Sequence, residues 1–129
     1  MTGQVQLTDQ KLGACLIVRV GGEIDPRGAR VLRDALVAKV SAGNARLVVD
    51  LTRVVAFDSA GLPALLAAQY EAEASGGSLR LVGVGSPVRR VLRATDKSDA
   101  LVVDREMSDA LEATMEAAGS PRDRHRDAG

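Results

Sequence analysis

The stretch Val54-Val-Ala-Phe-Asp-Ser-Ala-Gly-Leu-Pro-Ala-Leu-Leu66 joins two apolar segments through one acid and one hydroxyl. Upstream, Arg46 to Leu51 is a short, nearly continuous apolar run of the kind found in a buried strand, and Thr52-Arg53 reads as a linker. Downstream, the Leu- and Ala-rich segment reads as a helix over roughly Ser59 to Ala74, stopped by Ser75-Gly76-Gly77. Asp58 and Ser59 sit at the seam. Two readings of it stay open at this point. One of the pair caps the helix, or Ser59 is a serine on which another protein acts.

Working outward, Val5 to Thr8 and Ala14 to Gly21 read as strands separated by the polar turn Asp9-Gln10-Lys11. Asp25-Pro26 is a strong helix start, with an oxygen to accept backbone N–H bonds and a ring suited to the first helical position. That helix carries Val31, Leu32, Ala35, Leu36 and Val40 on its apolar stripe and ends at Ala42-Gly43-Asn44. Ser78 to Val84 reads as a strand, and Ser86-Pro87 starts a third helix with Val88, Val91 and Leu92 inward. Leu101 to Val103 is a further short strand, and Ser108 to Ala118 a closing helix using Leu111 and Met115. Residues 119–129, Gly-Ser-Pro-Arg-Asp-Arg-His-Arg-Asp-Ala-Gly, are charged and almost free of apolar side chains, as in a disordered polar tail. Two strands followed by alternating helices and strands predict an α/β domain with a mixed sheet, its parallel pairs joined by helical crossovers.

The totals narrow the function. At 129 residues the chain makes one domain, and with 46% apolar but only 2% aromatic residues its core is aliphatic. Seventeen basic residues balance 17 acidic ones, against the basic face that a nucleic-acid binder needs. The single cysteine, Cys15, excludes an internal disulfide and suits a reducing compartment, where it acts as a small buried hydrophobe. The N-terminus lacks the layout of a signal peptide, and no apolar run approaches the roughly 20 residues that span a bilayer. The expectation is a soluble, cytoplasmic protein without a membrane segment.

Several enzyme classes fail on the residues themselves. The only histidine, His125, lies in the tail, which argues against a Ser-His-acid triad. Phe57 stands where the first glycine of G-x-S-x-G would be, and no G-x-x-x-x-G-K-[ST] loop is present. Gly83-Val84-Gly85 lacks the third glycine of a dinucleotide fingerprint, since Val88 occupies it. Glu23, Asp25 and Asp58 lie on two separate loops and make a weak metal set. Tyr70 and Phe57 read as packing residues.

Physical chemistry fits a modified Ser59 as well as a cap. Unpaired N–H groups and the positive end of a helix dipole tolerate a phosphate, stabilising it by about 0.3–2 kcal/mol. A partner docked over the same spot meets a dianion, and a penalty of roughly 3 kcal/mol weakens binding about a hundredfold. Such a site switches binding rather than folding. In the helix that follows, Leu62, Leu65 and Leu66 make the core stripe, while Ala60, Ala64, Ala67 and Ala68 leave a small apolar face that either lies against the protein's own sheet or offers a smooth surface to another helix.

These residues resemble a known signature. "VVDLTRVVAFDSAGLPALL" is similar to the strand, D-S-[ST]-G-L turn and apolar helix of the STAS family, the bacterial anti-sigma factor antagonists. Gly22-Glu23-Ile24-Asp25 resembles the family's G-E-[IL]-D, and "GGSLRLVGVGSPVRRVLRAT" its later strand and Ser-Pro helix. The resemblance implies a single STAS domain over residues 1–118. It implies an antagonist that binds an anti-sigma factor, usually a serine kinase, and so frees a sigma factor. Phosphorylation releases it and a phosphatase restores it. By position Ser59 is then the phosphoacceptor, Asp58 its neighbour and Asp25 the loop acid beside the site, with Ala60, Gly61, Leu62 and Pro63 completing the partner surface. ATP, magnesium and catalysis would belong to the partner, so no cofactor is expected here. The runner-up within the family is a subunit held constitutively on an ABC-type lipid-transport ATPase. Three positions depart from the pattern: Ala60 replaces the second hydroxyl, Pro63 replaces a frequent glycine, and Thr95 to Ala100 is unusually charged.

Overall fold

The computed structural model describes residues 4–95 and 100–118. The tail at 119–129 and most of the charged Thr95–Ala100 stretch, residues 96–99, therefore lie outside the described residues. The element order is β1 (Gln6–Leu12), β2 (Cys15–Ile24), α1 (Pro26–Ser41), β3 (Arg46–Phe57), α2 (Gly61–Ala74), β4 (Ser78–Val82), α3 (Ser86–Arg93), β5 (Val102–Val103) and α4 (Met107–Ala118). The strands form one five-stranded sheet in the order β1-β2-β3-β4-β5. β1 pairs antiparallel with β2 and every later pair is parallel, which is the expected mixed sheet.

Two aliphatic clusters sandwich that sheet, as strand alternation requires. Val18 and Val20 of β2, Leu47, Val49 and Leu51 of β3 and Leu79 and Leu81 of β4 point to the side covered by α1, α2 and α3. Cys15, Ile17, Val48 and Val82 point to the other side, where Ala110 of α4 closes over them. Cys15 is the buried hydrophobe expected of it, and burial raises its thiol above the ordinary cysteine range against the opposing charge of Lys11. Gln69, buried on α2, donates from Nε2 to the Ala100 carbonyl and so ties α2 to the chain entering β5. The Arg80 guanidinium binds Asp104 through two hydrogen bonds of 2.7 and 2.9 Å and fastens β4 to the end of β5.

Several boundaries differ from the sequence expectation. Asp9, Gln10 and Lys11 belong to β1, and the hairpin instead turns at Gly13-Ala14, between the paired Leu12 and Cys15. An edge strand open to water needs no apolar alternation, and Gly13 supplies the positive φ (61°) that a two-residue hairpin turn demands. Thr52-Arg53 is no linker. β3 runs on to Phe57 beside β2, past two register irregularities, although β4 pairs with it only as far as Asp50. β4 stops at Val82 because Gly83 takes a left-handed conformation (φ 69°) under the side chains of Asp50 and Thr52. Gly85 rather than Ser86 is the N-cap of α3.

The inward faces also shift. Val31 (44% exposed) and Met115 (44%) face solvent, and Ala110 and Thr114 take the inner face of α4 with Leu111 half-buried. Tyr70, expected to pack, is 71% exposed. Ala64 and Ala68 are core residues at 4% and 0% exposure, and Ala64 lies beside Ala29 of α1. Leu65→Ala, at a fully buried position, should lower stability by about 2–5 kcal/mol, whereas Tyr70→Ala should change it by no more than about 0.5 kcal/mol. Urea denaturation of the two variants checks both.

Candidate functional site: the turn between β3 and α2

Parallel pairing brings two acids to one end of the sheet. Ile24 and Phe57 are register partners at the last rungs of β2 and β3, so Asp25 and Asp58 leave adjacent strands side by side. The Asp58 N–H donates to the Ile24 carbonyl at 2.7 Å and extends that pairing by one residue.

Each acid then organises its own turn. Asp25 is the N-cap of α1: its backbone is extended, its Oδ1 accepts from the Gly28 N–H at 2.6 Å, and Pro26 opens the helix. Asp58 does not cap α2 in this manner. Its Oδ2 accepts from the Ala60 N–H at 2.8 Å, two residues on, which is an Asx turn. The Asp58 carbonyl accepts from Gly61 N–H at 2.9 Å, and the Ser59 carbonyl from Leu62 N–H at 3.2 Å. The helix therefore begins at Gly61 rather than Ser59, and its N-cap, Ala60, has no side-chain bond to give.

Two expectations change in consequence. Ser59 is not the cap. Nor do Ala60, Gly61 and Leu62 offer unpaired N–H groups to a phosphate, because each has an acceptor, and Pro63 has no N–H. Among the described residues no hydrogen bond to the Ser59 hydroxyl is formed, and the residue is exposed. The turn holds its backbone and leaves its side chain free of structural duty.

Gly61 is buried for a steric reason. A β-carbon there would lie within the ring of Phe57, itself only 9% exposed. Leu62 also turns inward at 6% exposure, so the outer surface of the turn consists of Asp58, Ser59, half-buried Ala60 and Pro63. Glu23, Asp25 and Asp58 do not converge: among the described residues no group of acids, histidines or cysteines could hold a metal ion.

Ser59 opens onto a groove of about 740 Å³ between α2 and α3, floored by Leu62, Leu66, Ala67 and Val91, with Arg90 the charged residue that lines it among the described residues. A smaller groove of about 240 Å³ runs between α1 and α2, lined by Ala60, Pro63, Arg30 and Arg33 among others. These arginines escaped the sequence reading. Their signal was the three-residue spacing of Arg27, Arg30 and Arg33, which stacks them on one helix face, and the lack of any acid in Ser86–Arg93.

A family model described as the Mlab STAS domain matches residues 7–104. The chain belongs to the STAS family. An anti-sigma factor antagonist from Mycobacterium paratuberculosis has the same fold at TM-score 0.77 and 27% identity, over 88% of this chain and 96% of that one. SpoIIAA, an anti-sigma factor antagonist, matches in its unphosphorylated form at TM-score 0.69 and 19% identity, over 84% of this chain and 95% of that one. The phosphorylated form from Bacillus matches at TM-score 0.63 and 18% identity, over 84% and 98%. No curated protein matches the chain. No helix among the described residues of this STAS domain is long and apolar enough to cross a membrane.

Gly61→Ala should destabilise the STAS domain by about 1–3 kcal/mol through overpacking against Phe57. Phe57→Leu in the same chain should recover part of that loss, as thermal denaturation of the single and double variants will show.

Proposed function

We propose that this STAS domain is an anti-sigma factor antagonist that binds a serine-kinase anti-sigma factor, frees a sigma factor, and is switched off by phosphorylation of Ser59. A phosphatase would reverse the switch. The observation that carries the proposal is an exposed serine whose hydroxyl has no part in the fold, placed at the mouth of an apolar groove. SpoIIAA, with the same fold, has been solved both without and with its phosphate, in support of a domain that survives the modification.

The energetics separate fold from interface. At an exposed turn the added charge, about −1.5 to −2, stays hydrated, and the helix dipole favours it while the Asp58 carboxylate opposes it. Covered by a partner, the same group loses its water. The kinase would supply ATP, magnesium and the base, and this chain the substrate hydroxyl. Asp25, Asp58, Ala60 and Pro63 would form the contact around it, with Gly61 and Leu62 holding the turn from beneath.

A second reading rests on the matched family model, whose description names Mlab. There the domain is a constitutive subunit of an ABC-type lipid-transport ATPase, and α2 is its permanent docking face.

Ser59→Ala should bind the anti-sigma factor within about threefold of the unmodified chain, and chain phosphorylated at Ser59 about a hundredfold more weakly. Titration calorimetry measures both. Phosphate transfer to Ser59→Ala by the cognate kinase would defeat the switch. Stable co-purification with an ATP-binding-cassette protein, indifferent to Ser59, would favour the second reading.

A further inference from the structure

The chain is electrically neutral as a whole, yet its charges are unevenly placed around α2. Among the described residues, the charged side chains that line both grooves beside this helix, and a third hollow on the outer face of α3, are arginines: Arg30 and Arg33, Arg90, and Arg89 with Arg90 and Arg93. No acid among the described residues lines any of them. Among the described residues Arg30, Arg90 and Arg93 form no ion pair, and Arg33 is held only by its neighbour Asp34 in an exposed pair of little strength. Between Arg30 and Arg33 on one side and Arg90 on the other runs the apolar ridge of Pro63 and Ala67, which line both grooves.

We propose that this arginine-framed ridge receives an amphipathic helix of a partner protein, apolar along its contact stripe and carrying Asp or Glu on both flanks. Three features select that occupant. The surface is built from helices and offers no strand edge, so an extended peptide would leave its own backbone groups unpaired, whereas a helix satisfies them internally. The larger groove is concave and suits a convex cylinder about 10 Å across better than a flat bilayer. Arg30 and Arg33 on one side and Arg90 on the other flank the ridge, which matches acids on both sides of an apolar stripe. Ser59 lines the same groove as Arg90, so an anion at Ser59 would compete for that guanidinium with the partner's carboxylates.

The inference rests on the reading of α2 as the docking face, and a peptide titration tests it independently of the serine switch. The probes are a synthetic helix-forming peptide of about 18 residues, roughly 27 Å long, with a Leu stripe flanked by Glu, and a twin with Lys at every Glu. Each is titrated into the full ¹⁵N-labelled, unphosphorylated chain at about 0.05 M and about 0.3 M salt. The Glu peptide should bind at least about tenfold more tightly than its twin at low salt and lose most of that margin at high salt, with amide shifts centred on Leu66, Ala67 and Val91. R30E combined with R90E should reverse the preference, which only a folded domain can do. R30Q with R90Q, the milder pair, should abolish it. Equal binding of the twins, shifts located elsewhere, or saturation of the same amides by phosphatidylglycerol vesicles but not by the Glu peptide would overturn the proposal. Anti-sigma factor binding that is lost on Ser59 phosphorylation but unchanged in the R30E, R90E chain would remove this inference and leave the function standing. A seated Glu peptide with no effect of Ser59 phosphorylation on anti-sigma factor binding would do the converse.

Discussion

The ring of Phe57 occupies the space that a side chain at position 61 would need, and the geometry of the functional turn depends on that exclusion. With the ring seated over Gly61, β3 reaches its full length beside β2 and α2 starts immediately above it. Asp58 is left between the two with a backbone N–H to satisfy in one direction and a carboxylate in the other. It donates to Ile24 and accepts from Ala60 and Gly61. Ser59 is the residue remaining once those bonds are made. Its exposure follows from the turn and not from any preference of serine itself.

This arrangement separates two jobs that often compete. The fold relies on the Asp58 carboxylate, the Gly61 hydrogen and the Phe57 ring, all of which are committed to structure. The Ser59 hydroxyl, the Pro63–Ala67 ridge and the arginines beside it are groups the fold does not use, and the proposed recognition draws on them beside the exposed edges of Asp25 and Asp58. A charge added to the second set has little leverage on the first, because the exposed group keeps its water when the domain is alone. In the proposed switch it would act only when a partner excludes that water, at small cost to the stability of the domain.

Placement of the helices gives the same face its charge. α1, α2 and α3 all cover one side of the sheet and α4 covers the other. The arginines of α1 and α3 lie far apart in the chain but flank α2 from both sides. A balanced composition thus conceals a polarised surface. The neutrality that argued against a nucleic-acid face is a sum over the whole chain, and a sum carries no information about where charges sit.

Much of this was legible in one dimension. Strand and helix identity, the Asp25-Pro26 helix start, the mixed sheet and the position of Asp58-Ser59 at a strand-to-helix seam follow from local chemistry: residue spacing, capping oxygens, proline and glycine. What sequence alone left undecided depends on neighbours distant along the chain. Whether Thr52-Arg53 is linker or strand is settled by the hydrogen bonds of β2, and whether Asp9 to Lys11 turn or pair is settled by their position at a sheet edge. Whether α2 opens with free N–H groups is settled by Asp58 folding back on Ala60, and whether Ala64 faces a partner or the core is settled by the approach of α1. Local propensity acts within a few residues, whereas burial, pairing and surface charge are relations between segments, and those exist only once the chain has folded.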